Sequence, residues 1–255
     1  MVAITSLFVL FLLLPLVALV WRAIDRASFW RYLNDQMVVE ALKLSFTTTL
    51  MTLVIAFVVG TPAAYLLARW RFRGYRVIET LIDLPIVLPP VVAGVALLMA
   101  FGRRGLLGSE LDAFGISLPF TTLGVVIAQV FVAAPFYVRS ARAGFATIPR
   151  DVEDAAQVDG ATSWQVLLNV SVPAALPAIT AGAVLCWSRA LSEFGATLLF
   201  AGNLEGKTQT MPLAIMTAFE SNLGSALAIA VILLLISSLI LFVSRLVMSD
   251  AEGFW

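Results

Sequence analysis

Two groups of ionisable residues stand out in an otherwise apolar chain. Arg189 and Glu193 lie four apart beside a long uncharged run, and Asp151, Glu153, Asp154 and Asp159 cluster within one short polar stretch. On a helix the first spacing allows an ion pair, and charge beside a membrane span is costly enough to suggest a function. Two readings of that pair stay open. Arg189 could meet a third group while Glu193 holds it otherwise, or the two could be a structural pair at a helix end. Phe194 and Gly195 follow directly, and a glycine bend with an aromatic plug would suit a gate. The chain has no histidine, which excludes Ser-His and Cys-His nucleophilic pairs and His-ligated metal sites, so no catalytic residue and no metal site is expected. Cys186, the lone cysteine, cannot form an internal disulfide and reads as a small buried apolar residue. Gly206-Lys207-Thr208 ends like a phosphate loop, but Ala201 stands where the first glycine belongs and no strand–helix unit surrounds it. A flexible loop is expected there, and no cofactor bound by this chain.

The elements that must position these residues are helices in lipid. Of 255 residues 61% are hydrophobic and 13% charged, against about 25% charged in a soluble domain. Formal net charge is zero, so nucleic acid is not an expected partner. Crossing about 30 Å of hydrocarbon takes about 20 helical residues. Charge-free runs predict spans at 2–21, 44–68, 84–102, 115–138, 165–188 and 222–244. The first run lacks a basic start and is long for a signal peptide, so a retained helix is expected. Pro62, Pro85, Pro89, Pro90, Pro135, Pro173 and Pro177 lie in or beside spans, as packing kinks or as hinges. Gly60, Ala63, Ala64, Gly94 and Gly182 fit close helix packing. An even number of spans puts both termini on one side. Arginine and lysine divide evenly between the two sides, with Arg26 and Arg31 in one set and Arg245 in the other. The dense run Arg69-Trp70-Arg71-Phe72-Arg73 favours the cytoplasm for its side.

Between the fourth and fifth spans, 139–164 is polar. Pro149 suits a first helical position, and acids follow it near the positive end of the helix dipole. Gly160 suits a stop, and Thr162 or Ser163 a new N-cap. A short helix that turns sharply at Gly160 and feeds span five is predicted, with Val152, Ala155, Ala156 and Asp159 at helical spacing.

Asp154-Ala155-Ala156, three residues, Gly160, nine residues, then Val170-Ser171-Val172-Pro173 resembles the cytoplasmic loop of permease subunits of ATP-binding-cassette importers. The family pattern is Glu-Ala-Ala, three residues, Gly, nine residues, Ile, one residue, Leu-Pro; here Asp replaces Glu, and Val replaces both Ile and Leu. Ser192-Glu193-Phe194-Gly195-Ala196, Thr208-Gln209-Thr210-Met211-Pro212-Leu213-Ala214 and the stretch 82–94 look like molybdate/tungstate permeases, which resemble sulfate permeases here. The likeness runs over roughly residues 40–245.

That resemblance implies an all-α integral membrane protein of six transmembrane helices, residues 1–255 forming one permease domain, with a cytoplasmic coupling helix between the fourth and fifth. Glu153, Asp154, Ala155, Ala156, Gly160 and Pro173 would couple to the ATPase, and Arg189, Glu193, Phe194 and Gly195 would form the gate or pathway. It implies no enzyme but a transport subunit in a prokaryotic inner membrane, termini cytoplasmic, working by alternating access. A homodimer, two cytoplasmic ATP-binding subunits carrying ATP and Mg, an extracytoplasmic oxyanion-binding protein and membrane lipid are the implied partners. The cargo would be molybdate or tungstate, with sulfate or thiosulfate as the alternative. An intramembrane serine protease fails for want of histidine. An ion-driven secondary carrier would want buried acids in the spans and inverted repeats, and neither is seen.

Overall fold

In the computed structural model the described residues are 1–25, 32 and 35–252, with side chains to residue 242. Arg26, Arg31, the side chain of Arg245 and those of the 249–255 tail lie outside them. Among the described residues all regular structure is helical. The helices are α1 (Val2–Asp25), α2 (Gln36–Arg69), α3 (Tyr75–Val87), α4 (Pro90–Phe101), α5 (Gly108–Ala113) and α6 (Thr122–Thr147). They continue as α7 (Arg150–Val158), α8 (Ser163–Ala174), α9 (Leu176–Leu191), α10 (Gly195–Ala201), α11 (Met211–Ser221) and α12 (Leu223–Glu252).

Four helices, Val2–Ile24, Gln36–Arg69, Thr122–Thr147 and Leu223–Phe242, are each long and apolar enough to cross a bilayer. The predicted spans 84–102 and 165–188 are not single straight helices. The first is divided between α3 and α4, which meet at 119°, and the second between α8 and α9, bent by 80°. Six crossings result if each bent pair counts as one. Proline position explains the difference. Pro90 and Pro177 sit at the first positions of a new helix, where no donor is missed and φ is already right. Pro62 and Pro135 lie inside helices that continue through them. Charge-free runs also misjudge helix ends: α2 begins at Gln36 and runs through Glu40 and Lys43. The start of the fourth predicted span is loop, with Gly115 at φ 71° and Phe120 at φ 60°. There α6 starts only after Thr121, whose hydroxyl accepts from Gly124 N at 3.1 Å.

The chain divides into two compact units. The first draws on residues of Met1–Ser45 and Asn203–Ser238. Its core is Val38 and Ala41 of α2, Met211, Ala214 and Ala218 of α11, and Ala226 and Ile229 of α12, and Met211 N donates to Ser45 Oγ at 2.8 Å. Within it α1 exposes almost its whole surface, as a helix facing lipid would.

The second unit comprises Phe46–Gly202 and the end of α12 from Leu239. Tyr137, Phe145, Leu67, Ala141, Ile179 and Cys186 join α2, α6 and α9, and Cys186 is buried as expected. Ala93, Leu97, Val132, Ala196 and Phe200 join α4, α6 and α10. Apolar burial gives helices little reason to associate in lipid, so close backbone approach and hydrogen bonds must do it. Both are present. Thr52 Oγ1 donates to Gln129 Oε1 at 3.1 Å, Trp187 Nε1 to Thr49 Oγ1 at 3.0 Å, and the Thr61 and Tyr137 hydroxyls meet at 2.6 Å. A Cβ on Gly60 would lie 3.0 Å from the Tyr137 ring, on Gly94 2.7 Å from Leu199 Cβ, and on Gly182 2.9 Å from Ser140 Cβ.

Gly144, on α6 against α9, is tighter still: a Cβ there would lie 2.3 Å from Ala178 Cβ. Gly144→Ala should therefore destabilise the protein by about 1–3 kcal/mol through overpacking, read as a lower thermal midpoint in detergent. Ala178→Gly in the same chain should recover part of the loss.

Candidate functional site

The predicted short helix is α7. Pro149 is its N-cap rather than its first helical residue, with ψ 135°, and Asp151 and Glu153 occupy the first turn. The stop at Gly160 has a specific geometry. Asp159 is the C-cap and Gly160 follows at φ 94°. Gly160 N donates to Gln157 O at 3.0 Å and Ala161 N to Ala156 O at 3.0 Å. These are the paired bonds of a Schellman turn, and the left-handed position between them favours glycine. Thr162 then caps α8. Its hydroxyl accepts from Gln165 N, and Gln165 Oε1 accepts from Thr162 N at 2.8 Å, a capping box.

The candidate coupling residues do not share one face. Asp151, Val152, Asp154, Ala155 and Val158 are exposed, Ala156 is half-buried, and Gly160 is exposed. Glu153 turns inward and is 5% exposed. Its Oε1 meets Arg69 Nη2 at 2.8 Å and accepts from Ser171 Oγ at 2.6 Å. Arg69 closes α2, and its Nη1 donates to Ile148 O at 3.1 Å. Arg150 Nη2 donates to Arg69 O at 2.9 Å. One carboxylate thus ties α7 to the end of α2 and to the middle of α8. Arg69 and Ser171 are functional candidates that sequence reasoning missed. Arg69 was legible only as part of a basic run, and Ser171 only as a variable position in the motif.

Pro173 is exposed and acts on backbone geometry. Just before it, Leu167–Ser171 forms a π turn, with Val172 N bonded to Leu167 O. A proline ring clashes with the carbonyl four residues back, and one wider turn relieves that clash. The widened turn leaves the Ser171 hydroxyl on Glu153.

The second candidate group is also assembled. Arg189 Nη2 lies 2.8 Å from Glu193 Oε2, a contact ionic in distance but not aligned as a hydrogen bond. Glu193 Oε1 accepts from Ala196 N at 2.7 Å, so it also caps α10. The Glu193 side chain is 1% exposed and that of Arg189 25%, leaving only the arginine open to a third group. The bend expected at Gly195 falls earlier, in the turn Ser192–Phe194 between α9 and α10. Gly195 is instead buried against α4, where a Cβ would lie 2.9 Å from Pro90 Cβ. Phe194 is 37% exposed beside it. The Lys207 loop follows a helix and not a strand, and Leu204 N donates to Thr208 Oγ1 at 2.9 Å, so Thr208 serves its own turn. No cluster of His, Cys, Asp or Glu suited to a metal occurs among the described residues.

A profile of the family described as binding-protein-dependent transport system inner membrane component matches residues 57–250. A probable transport system permease protein, NifC, of Clostridium pasteurianum is 36% identical, covering 98% of this chain and 87% of that one. A molybdenum transport system permease protein, ModB, of Mycobacterium tuberculosis is 41% identical over 91% of this chain and 88% of its own. A sulfate transport system permease protein, CysT, of Escherichia coli is 37% identical over 91% and 85%. Among solved structures, a bacterial ABC transporter importing alginate aligns with TM-score 0.77 at 17% identity, covering 96% of this chain and 92% of that one. The MetNI methionine ABC transporter aligns with TM-score 0.60 at 18% identity, covering 87% and 97%. At such identities these two likenesses concern the fold.

Removing one partner of a buried ion pair strands the other charge and costs about 3–5 kcal/mol, whereas replacing both by apolar residues is far milder. Glu153→Ala and Arg69→Met should each lower the thermal midpoint strongly. The double variant should lose less than the sum, and a strictly additive cycle would dissolve the pair as a unit.

Proposed function

Because the chain belongs to the family of binding-protein-dependent transport system inner membrane components, we propose that it is the permease of an ATP-driven importer of a tetrahedral oxyanion, molybdate or tungstate. Residues 1–255 act as one permease domain within a homodimer, with two cytoplasmic ATP-binding subunits and an extracytoplasmic oxyanion-binding protein. ATP and Mg belong to the ATPase subunits. Both termini and α7 face the cytoplasm. The relatives named as molybdenum permeases support the cargo, and the relative named as a sulfate permease keeps sulfate as the second reading.

The single observation that carries the coupling role is the division of α7 into two faces. Asp154, Ala155 and Val158 are free to meet a partner, and the small Ala155 lets another surface approach closely. Behind them Glu153 fixes the helix to α2 through Arg69 and to α8 through Ser171. A push on α7 by a closing ATPase pair therefore reaches two membrane helices as a rigid displacement, because a buried ion pair gives little before it breaks. ATP binding opens the pathway outward to receive the anion, and hydrolysis resets it inward. Gly160 and Pro173 set the turn and the wide helical turn through which that displacement passes. Arg189, partly open and held by Glu193, offers the anion a guanidinium, beside Phe194 and Gly195 as the gate.

Reconstitution with the neighbouring ATPase and binding protein tests the whole reading: ATP-dependent uptake of labelled molybdate that sulfate does not compete is expected. Sulfate uptake would change the cargo, and no uptake of either would end the importer reading. Ala155→Trp should abolish co-purification with the ATPase while stability shifts by no more than about 0.5 kcal/mol, as at an open surface. Arg189→Gln with Glu193→Gln removes the pair without stranding a charge. If the guanidinium serves the anion, uptake should fall about tenfold or more, the worth of one charged hydrogen bond. Uptake at the parent rate would leave the pair purely structural.

A further inference from the structure

Beside α7, the chain leaving α2 carries positive charge that the coupling geometry does not use. Arg71 and Arg73 on the turn into α3 and Arg76 in its first helical turn are exposed, and none has an ion-pair partner among the described residues. An open hollow there is lined by Arg71, Phe72, Tyr75, Arg76, Glu79 and Arg142. Its one carboxylate, Glu79, is paired with Arg142, whose Nη1 also donates to the Tyr75 hydroxyl at 3.2 Å. The hollow therefore keeps two uncompensated guanidinium groups, Arg71 and Arg76, and the exposed Arg73 lies between them in the chain. The first turn of α3 contains no acid, and its N-cap Gly74 offers no side chain, so the positive end of that helix adds to the field.

The surroundings fix what kind of anion fits. On α3, Val77, Ile78, Leu81 and Leu84 are exposed at helical spacing. Glu79, on the opposite side, meets α6 through Arg142. An amphipathic helix with its apolar side uncovered lies at the boundary of acyl chains and headgroups. Trp70, 66% exposed, and Phe72, 40% exposed, flank the arginines, as aromatic residues do at that depth. A soluble anion would need only the charge; this site adds apolar walls beside it.

We propose that Arg71, Arg73 and Arg76 bind the headgroup of an anionic phospholipid in the leaflet on the α7 side, with the acyl chains along Val77, Leu81 and Leu84. The site lies one turn beyond Arg69, so a bound lipid would brace the end of α2 that carries the Arg69–Glu153 pair. The site stands on membrane residence alone and does not depend on the cargo or on the ATPase.

The test uses the full chain in nanodiscs, read by quenching of Trp70 fluorescence, taken as the difference between the parent and Trp70→Phe. Brominated phosphatidylglycerol should quench at a roughly hundredfold lower mole fraction than brominated phosphatidylcholine, the product of three basic residues at about 1 kcal/mol each. Arg71→Gln, Arg73→Gln and Arg76→Gln should each reduce that preference about fivefold, from about 1 kcal/mol per basic residue at an anionic surface. If the variant combining Arg71→Gln, Arg73→Gln and Arg76→Gln does not fold, one combining Arg71→Lys, Arg73→Lys and Arg76→Lys, which keeps the charge, should retain the preference until high salt removes it. Equal quenching by the two lipids in the parent overturns the proposal. So does displacement of the lipid by millimolar inorganic phosphate, which would make the site one for a free anion. An unchanged lipid preference in the Gln variants, with or without loss of the ATPase, would also overturn it and give the arginines to another partner.

Discussion

Within the larger unit, everything near α7 depends on one buried carboxylate. A carboxylate buried as deeply as Glu153 needs compensation, since desolvating a charge costs several kcal/mol. Arg69 supplies the opposite charge and Ser171 a hydrogen bond, and both must arrive from elsewhere in the chain. That requirement fixes how far α2 runs, where α7 begins and how α8 is wound. Arg69 must stand at the end of α2, and the π turn must present Ser171 at the same point. A buried pair of this kind is weak grounds for stability, and its better-attested use is to enforce one arrangement over others. Here the enforced arrangement is a short helix held firmly on its inner side and left open on its outer side.

The same logic separates the two sets of charges. In the larger unit, Glu153 and Glu193 are buried and each has two partners. Arg71, Arg73 and Arg76 are exposed on the turn into α3 and its first helical residues. Charge that is buried and satisfied positions helices; charge that is exposed and unmatched attracts something outside the chain. Membrane helices lack the driving force that would hide such differences in a soluble core, so polar contacts and glycine-mediated approach carry a larger share of the architecture. Gly94, Gly144, Gly182 and Gly195 each sit where a methyl group would collide with a neighbouring helix.

Sequence reasoning reached the positions of chemistry better than it reached the course of the backbone. The short helix, its glycine stop and the new cap at Thr162 were legible because each is a local event: a left-handed residue, a capping hydroxyl, an acid near a helix start. The Arg189–Glu193 pair was legible for the same reason, being one helical turn apart. The resemblance groups Glu153 with residues that meet a partner, and its spacing says nothing of its inward turn. Helical phase relative to the protein interior is not a local property. Gly195 was read as a bend, yet it serves close packing against Pro90, a residue more than a hundred positions away.

Composition and spacing alone determined that the chain lies in membrane, that its structure is helical and that histidine-dependent chemistry is excluded, while the pattern at 154–173 spoke only through its resemblance to importer permeases. These follow from what lipid demands of a backbone and from contacts within a few residues. Tertiary structure decided which prolines break a helix and which are absorbed, which acid of α7 is buried, and that Arg69 and Ser171 share it. Those outcomes rest on pairs separated by 18 and 84 positions, and no local preference encodes a partner that distant. They are settled where three helices meet and a charge must be matched.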